Sequence, residues 1–213
     1  VREIARSSRP LARLALPAGV YRVRASAGAA EATVEVSVRS GQLVKHSIIL
    51  ASGRLRATAR LGGREETVDD PVEFRVLRAT DGTEVVRTSR SRLSAELPAG
   101  RYRVLAMLGD VNASAESEFE LAAGEDKEIA VEIDAGTVSI SVAAVEGKPA
   151  VGPSKWEIVA ENGRLLWTTT DAAPRISLHS GNYEVVATVR GQRLRQRFTL
   201  VAGEIKSVEV RPE

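Results

Sequence analysis

LPAGVYRV, running from Leu16 to Val23, returns as LPAGRYRV from Leu97 to Val104 and, more loosely, as LHSGNYEV from Leu178 to Val185. The three tyrosines of the chain, Tyr21, Tyr102 and Tyr183, therefore fall 81 residues apart inside one phrase. A fixed period of this kind is the signature of a repeated module. Within the phrase, proline fixes its own φ and ends the preceding strand, while Gly19, Gly100 and Gly181 are free to take the positive φ that closes a turn. Tyrosine then opens the next strand, its ring over the end of the core and its hydroxyl in reach of a backbone partner. These six residues are expected to be structural markers of the repeat.

Other landmarks keep the same beat. Ser40-Gly41, Ala123-Gly124 and Ala202-Gly203 follow the tyrosines, and Asp81-Gly82 and Asn162-Gly163 precede two of them. Pro71 to Phe74 and Pro153 to Trp156 repeat with a slip of one residue, as loops allow. Gly53 opens one module and Gly136 the next, whereas Arg2–Arg9 aligns with Thr83–Arg90, so Val1 falls in mid-module. The expected organisation is the C-terminal part of a repeat over 1–52 and complete repeats over 53–134 and 135–213, within a longer protein. Completion of the first repeat is expected from upstream sequence or from a strand donated by another chain.

Hydrophobic residues at 43% and charged residues at 27% suit a globular chain, and no stretch nears the roughly 18 apolar residues of a membrane helix. The absence of cysteine removes disulfides and thiolate chemistry. A net charge of +2 gives no indication of nucleic acid, and aromatic residues at 4% leave few stacking platforms for it. By repeat, 1–52 carries 8 basic and 3 acidic residues, 53–134 carries 12 and 17, and 135–213 carries 10 and 8. Neighbouring modules thus differ in sign, which is read first as drift of surface charge and second as an aid to end-to-end docking.

Period-two alternation recurs through the second repeat, at Leu55, Ala57 and Ala59, at Val72, Phe74 and Val76, and at Ile129, Val131 and Ile133. Turn residues separate these runs, and no segment sustains a helical period over ten residues. The prediction is all-β: tandem antiparallel sandwiches of about seven strands, joined by linkers too short for free rotation and so arranged as an extended rod.

The order of a glycine-led strand, a DG or NG hairpin, the L-P-A-G-x-Y-x-V phrase, an A-G turn and a Val- and Ile-rich closing strand resembles the PEGA and carboxypeptidase-regulatory-like repeats of bacterial exported proteins. That resemblance implies a transthyretin-like sandwich of seven strands and a non-catalytic role as spacer, stalk or interaction module. It transfers no catalytic residue and implies an extracytoplasmic setting, in periplasm or at the cell surface.

Candidate chemistry is sparse. His46, placed in the closing strand of the partial module, and His179, which replaces the turn proline, are not equivalent and give no metal pair. Glu65, Glu66, Asp69 and Asp70 cluster in one loop, but the third repeat has Glu146, Gly147 and Lys148 there, so a solvated acidic loop is expected rather than a cation site. Arginine alternates along strands at Arg54 and Arg56 and at Arg193, Arg195 and Arg197, a pattern that keeps strands soluble or builds a ridge for anionic glycan or lipid headgroups. Trp156 takes the place of Phe74 in the core; Trp167 either stacks on it across a hairpin or stands exposed as a sugar platform. No metal, cofactor or enzymatic activity is expected in this chain. The leading expectation is a structural segment whose partners are neighbouring domains or another protein, the alternatives being a glycan- or lipid-binding module and accessory domains of an enzyme.

Overall fold

A computed structural model describes residues 3–9, 11–143 and 152–211. The Glu146–Lys148 loop and Arg2 lie outside the described residues. All regular structure among those residues is strand. The chain begins with the hairpin β1 (Gly19–Ala27) and β2 (Ala30–Val38). Seven strands follow: β3 (Ser52–Leu61), β4 (Val72–Arg78), β5 (Glu84–Arg90), β6 (Arg92–Pro98), β7 (Gly100–Leu108), β8 (Ala113–Leu121) and β9 (Asp126–Ile133). Seven more repeat them: β10 (Ala135–Val142), β11 (Lys155–Ala160), β12 (Leu165–Thr169), β13 (Arg175–His179), β14 (Gly181–Val189), β15 (Gln192–Leu200) and β16 (Ile205–Val210).

Each set of seven makes a three-stranded and a four-stranded sheet. The orders are β6-β3-β9 with β5-β4-β7-β8, and β13-β10-β16 with β12-β11-β14-β15. The alternating residues meet between the sheets: Leu55, Phe74, Val76, Tyr102 and Ile133 in one core, and Ile140, Trp156, Ile158, Tyr183 and Leu200 in the other. Such side chains contribute about 1.5–3 kcal/mol each by leaving water. The expected antiparallel pairing holds except at one place in each sandwich. The closing strand runs parallel to the opening strand, β9 beside β3 and β16 beside β10. Side-chain alternation is the same in either direction, so the period could not reveal this.

That parallel pair accounts for a second departure. The segment around His46 was expected as a closing strand, yet 42–51 forms no ladder. Its counterparts β9 and β16 exist by pairing with an opening strand, and no strand stands before Gly19 among the described residues. Leu43 and Ile49 are correspondingly exposed, at 80% and 85%.

The tyrosine phrase folds alike three times. The hydroxyls of Tyr21, Tyr102 and Tyr183 donate to the carbonyls of Pro17, Pro98 and His179, at 2.7, 2.8 and 2.7 Å. Tyr102 stacks on Phe119 and Tyr183 on Phe198, with centroids 5.6 and 5.7 Å apart. The turn glycine takes the expected positive φ at Gly100 and Gly181, 159° and 153°, but Gly19 does not.

The opening glycine has a sharper reason. A Cβ on Gly53 would stand 2.6 Å from the Ala122 carbonyl oxygen and 2.8 Å from that of Glu125; on Gly136, 2.8 Å from that of Val201 and 2.7 Å from that of Glu204. The A-G-E turn between the last two strands closes directly over it. That turn is held by its own glutamate: Glu125 accepts from the Ala122 N–H at 2.7 Å and from Lys127 Nζ at 2.9 Å. Glu204 accepts from Lys206 Nζ at 2.8 Å and from the Val201 N–H at 3.0 Å.

These bonds favour the charged form. The Ala122 N–H first, then Lys127, holds the Glu125 carboxyl below the usual glutamate range; for Glu204 the order is Lys206, then the Val201 N–H. A depressed folded-state pKa gives stability that is complete above the unfolded value of about 4.3 and is lost as pH falls through the lower folded value. The double variant Glu125→Gln, Glu204→Gln is therefore expected to shrink the difference in melting temperature between neutral pH and pH about 3. An unchanged difference in a thermal scan would show that these turns do not sense acid.

Candidate functional site

The predicted arginines do not converge. Arg54 and Arg56 lie on β3 in a three-stranded sheet, while Arg193, Arg195 and Arg197 lie on β15 in the four-stranded sheet of the other sandwich. Each has an acidic neighbour on its own sheet. Arg54 meets Glu96 at 3.7 Å, and Arg56 meets Asp126 at 2.7 Å and Glu128 at 2.9 Å. Arg193 pairs with Glu157; Arg195 and Arg197 share Glu184 at 3.1 and 3.5 Å. Lys155 is the first cause, and Arg193 the next attractive one, holding the Glu157 carboxyl below its usual range. The Arg56 guanidinium is held above its usual value by its bond to Glu128 and by the charge of Asp126.

Trp156 is fully buried, its indole Nε1 donating to the Asp171 carbonyl at 3.0 Å. Trp167 is half-buried against the same core and sits opposite Ile158 in the ladder. No stack joins the two indoles among the described residues. Glu65, Glu66, Asp69 and Asp70 are all exposed, and no three His, Asp or Glu side chains converge in metal-binding fashion among the described residues.

Side chains from distant parts of the sequence meet instead at the joints between repeats. The loop between β7 and β8 places Asn112 against the tyrosine phrase of the next sandwich. Asn112 Oδ1 accepts from the His179 N–H at 3.0 Å, and its Nδ2 donates to the Tyr183 hydroxyl at 3.1 Å. That hydroxyl in turn donates to the His179 carbonyl. The missing proline thus acquires a purpose: position 179 must supply an N–H, which proline lacks. Val111 beside it packs on the second core, and Ala135 at the start of β10 is buried in the first.

Two further contacts close this joint. The Ser180 N–H donates to the Asp134 carbonyl at 2.9 Å, with His179 Nε2 4.0 Å from the Asp134 carboxylate. On the other side Gly62 abuts the A-G-E turn of the next repeat: a Cβ on Gly62 would lie 2.7 Å from the Ala202 Cβ, and one on Gly203 would lie 2.7 Å from the Gly62 carbonyl oxygen. Two shallow depressions flank the joint, one beside Asn112, Arg164 and Asn182, the other beside Arg60, Arg64 and Glu132.

The preceding joint uses the same hairpin with different atoms. At the tip between β1 and β2 the Ala29 N–H donates to the Glu96 carbonyl at 3.2 Å, and Ala30 is buried at 2% exposure. Gly28 is required there: its φ is 56°, and a Cβ would meet the Glu96 carbonyl oxygen at 2.5 Å. Pro98, lacking an N–H, makes no bond like that of His179.

In the sequence Gly62 marks only a turn and Asp134 only the end of a repeat, while Asn112 and Val111 carry no mark. The one available signal was the loss of proline at His179, because its partner carries no mark beyond a place in the equivalent hairpin.

Residues 137–212 match the model of the Rhizobiales growth-associated tandem repeat domain. No curated protein matches the chain. Among solved structures the chain is similar to the TIE protein of Bacillus anthracis, at 20% identity over 92% of this chain and 42% of that one, with a TM-score of 0.33. It is similar also to GBS52, the minor pilin of Streptococcus agalactiae, at 18% identity over 75% and 95% of the two chains, TM-score 0.36. A third likeness is to the shaft pilin SpaA of Lactobacillus rhamnosus GG, at 12% identity over 76% and 98%, TM-score 0.35. The chain spans less than half of the Bacillus protein's chain, and likenesses at these scores carry no argument about function.

Proposed function

We propose that this chain is a non-catalytic spacer of an exported bacterial protein, in which β-sandwich repeats stack through fixed joints and hold the segments on either side apart. One observation carries the reading: the hairpin tip of one repeat docks on the next at two successive joints, at the second through paired hydrogen bonds from Asn112. Short linkers and docked tips together restrict rotation, which favours a rod over loosely tethered beads. The likeness of residues 137–212 to a growth-associated tandem repeat domain supports the array reading and adds the expectation that the spacer serves a growing cell, in periplasm or at the surface. PEGA-like or transthyretin-like ancestry of the repeats belongs to the same proposal. The arginines enter it as a solubilising surface already matched by acids on the same sheets.

Small-angle scattering of the wild-type protein and of Asn112→Ala tests this. The wild type is expected to scatter as one rigid elongated particle. The variant should keep its strand content while its scattering broadens toward a flexible pair of bodies, with a loss of about 1–3 kcal/mol from leaving the joint's polar groups unpaired. A wild type that already scatters as flexibly linked beads would overturn the spacer reading.

A further inference from the structure

Among the sheet edges of the described residues, two equivalent ones carry opposite charge. β8 ends the sheet β5-β4-β7-β8, and β15 ends the sheet β12-β11-β14-β15. The outward face of β8 presents Glu116, Glu118 and Glu120, all exposed; that of β15 presents Arg193, Arg195 and Arg197, exposed likewise. Edge protection by charge explains why both edges are charged, but it is indifferent to sign. Each triplet is partly matched within its own sheet, Glu120 meeting Arg101 at 3.8 Å and Glu116 meeting Arg103 at 3.5 Å as the arginines of β15 meet Glu157 and Glu184, yet along each outermost strand the charges stay exposed and of one sign.

The backbone of the β15 edge is oriented for pairing. Lys206 Nζ donates to the Thr199 carbonyl at 2.6 Å, and Gln196 Nε2 donates to the Arg197 carbonyl at 3.0 Å. Alternate residues of β15, those bearing the arginines, thus turn their carbonyls away from β14 and toward the open edge. Lys206 covers the Thr199 carbonyl and Gln196 the Arg197 carbonyl, so Arg193 and Arg195 are the uncovered part of that edge and pairing at Arg197 requires the Gln196 amide to let go. Residues two apart on a strand lie about 6.6 Å apart, so the two triplets have one spacing.

We propose that β8 of one copy of this chain adds to β15 of a second copy, edge to edge and antiparallel, with Glu116, Glu118 and Glu120 opposite Arg197, Arg195 and Arg193. Main-chain hydrogen bonds supply the attraction, as in other strand additions, and the cross-strand ion pairs select the register. Exposed ion pairs alone are worth little, so the charges act as a selector of partner rather than as the adhesive. The two copies contribute different surfaces, which leaves a β8 free at one end and a β15 free at the other; the contact can therefore propagate sideways through many copies. This goes beyond the spacer reading and rests only on the two edges: a rigid particle that never associates would spare the spacer, and an associating flexible one would spare the edges.

Sedimentation of the whole chain at low and high salt, with three charge-reversed variants, tests the proposal. At about 10 mM salt, where the screening length is about 30 Å, the wild type is expected to show a weight-average mass at least twice the monomer's that rises with concentration. At about 1 M salt, with screening over about 3 Å, that mass should fall back toward the monomer. The variant Glu116→Arg, Glu118→Arg, Glu120→Arg and the variant Arg193→Glu, Arg195→Glu, Arg197→Glu should each stay monomeric alone and associate when mixed, because each then offers the other a matching edge. The neutral variant Glu116→Gln, Glu118→Gln, Glu120→Gln, which introduces no repulsion, should associate less than the wild type. Strand content by circular dichroism identifies any variant that fails to fold, and for such a variant the neutral one decides. A monomeric wild type at low salt, association unaffected by the variants, or reversed variants that stay monomeric on mixing would overturn the proposal.

Discussion

Trp156→Ala is expected to destabilise the sandwich of residues 135–210 by about 3–5 kcal/mol, the range for removing a buried aromatic ring. The indole is fully buried on β11, in contact with the core that holds Ile158 and Tyr183, and its N–H satisfies the Asp171 carbonyl. Alanine would leave both a cavity and an unpaired carbonyl. The two sandwiches have separate cores, so the loss should fall mainly on one of them. Chemical denaturation followed by tryptophan fluorescence from Trp167, and by far-ultraviolet dichroism for the whole chain, should show an early transition in the last repeat ahead of the other. A single transition, or a loss below about 1 kcal/mol, would contradict the packing described.

Gly136→Val is expected to be nearly as severe. Its first added carbon would stand 2.7 and 2.8 Å from the carbonyl oxygens of Glu204 and Val201, which belong to a turn and cannot rotate aside as a side chain would. The A-G-E turn would have to lift, with it the parallel pair β10–β16 and the docked Gly62. Overpacking of this kind costs about 1–3 kcal/mol, and lifting the turn adds to it. Gly53→Val should act likewise on the preceding sandwich. Gly152, which has nothing within 4 Å of its would-be Cβ, serves as control: Gly152→Ala should stay within about 0.5 kcal/mol of wild type in the same denaturation experiment. If Gly136→Val behaved like the control, the turn would not close over the opening glycine as described.

Much of the fold was legible from the chain because its causes are local. Alternation at Val72, Phe74 and Val76 marks a half-buried strand wherever it occurs, and the tyrosine phrase announces its own turn. Strand direction was not legible, because β9 offers the same alternation whether it runs with or against β3. Nor could the segment around His46 be judged from its own residues, since a strand there needs a partner from elsewhere. The joint was the least visible part. Asn112 and His179 stand 67 positions apart and carry no shared pattern; only the departure from proline hinted that position 179 answers to something outside its own phrase. The arginines were legible as strand faces, but their partners, Glu157 and Glu184 on β11 and β14, depend on the pairing order of the sheet.

The parallel pairing of first and last strands also fixes how each repeat would bear a load. A repeat enters through β3 and leaves through β9, running side by side in one direction from Arg54 opposite Asp126 to Leu61 opposite Ile133. Tension applied at the two ends would slide these strands past one another, so every rung of the ladder resists together rather than opening one at a time like a zipper. β10 and β16 share this arrangement from Thr137 opposite Ile205 to Val142 opposite Val210. A chain so built is suited to being pulled.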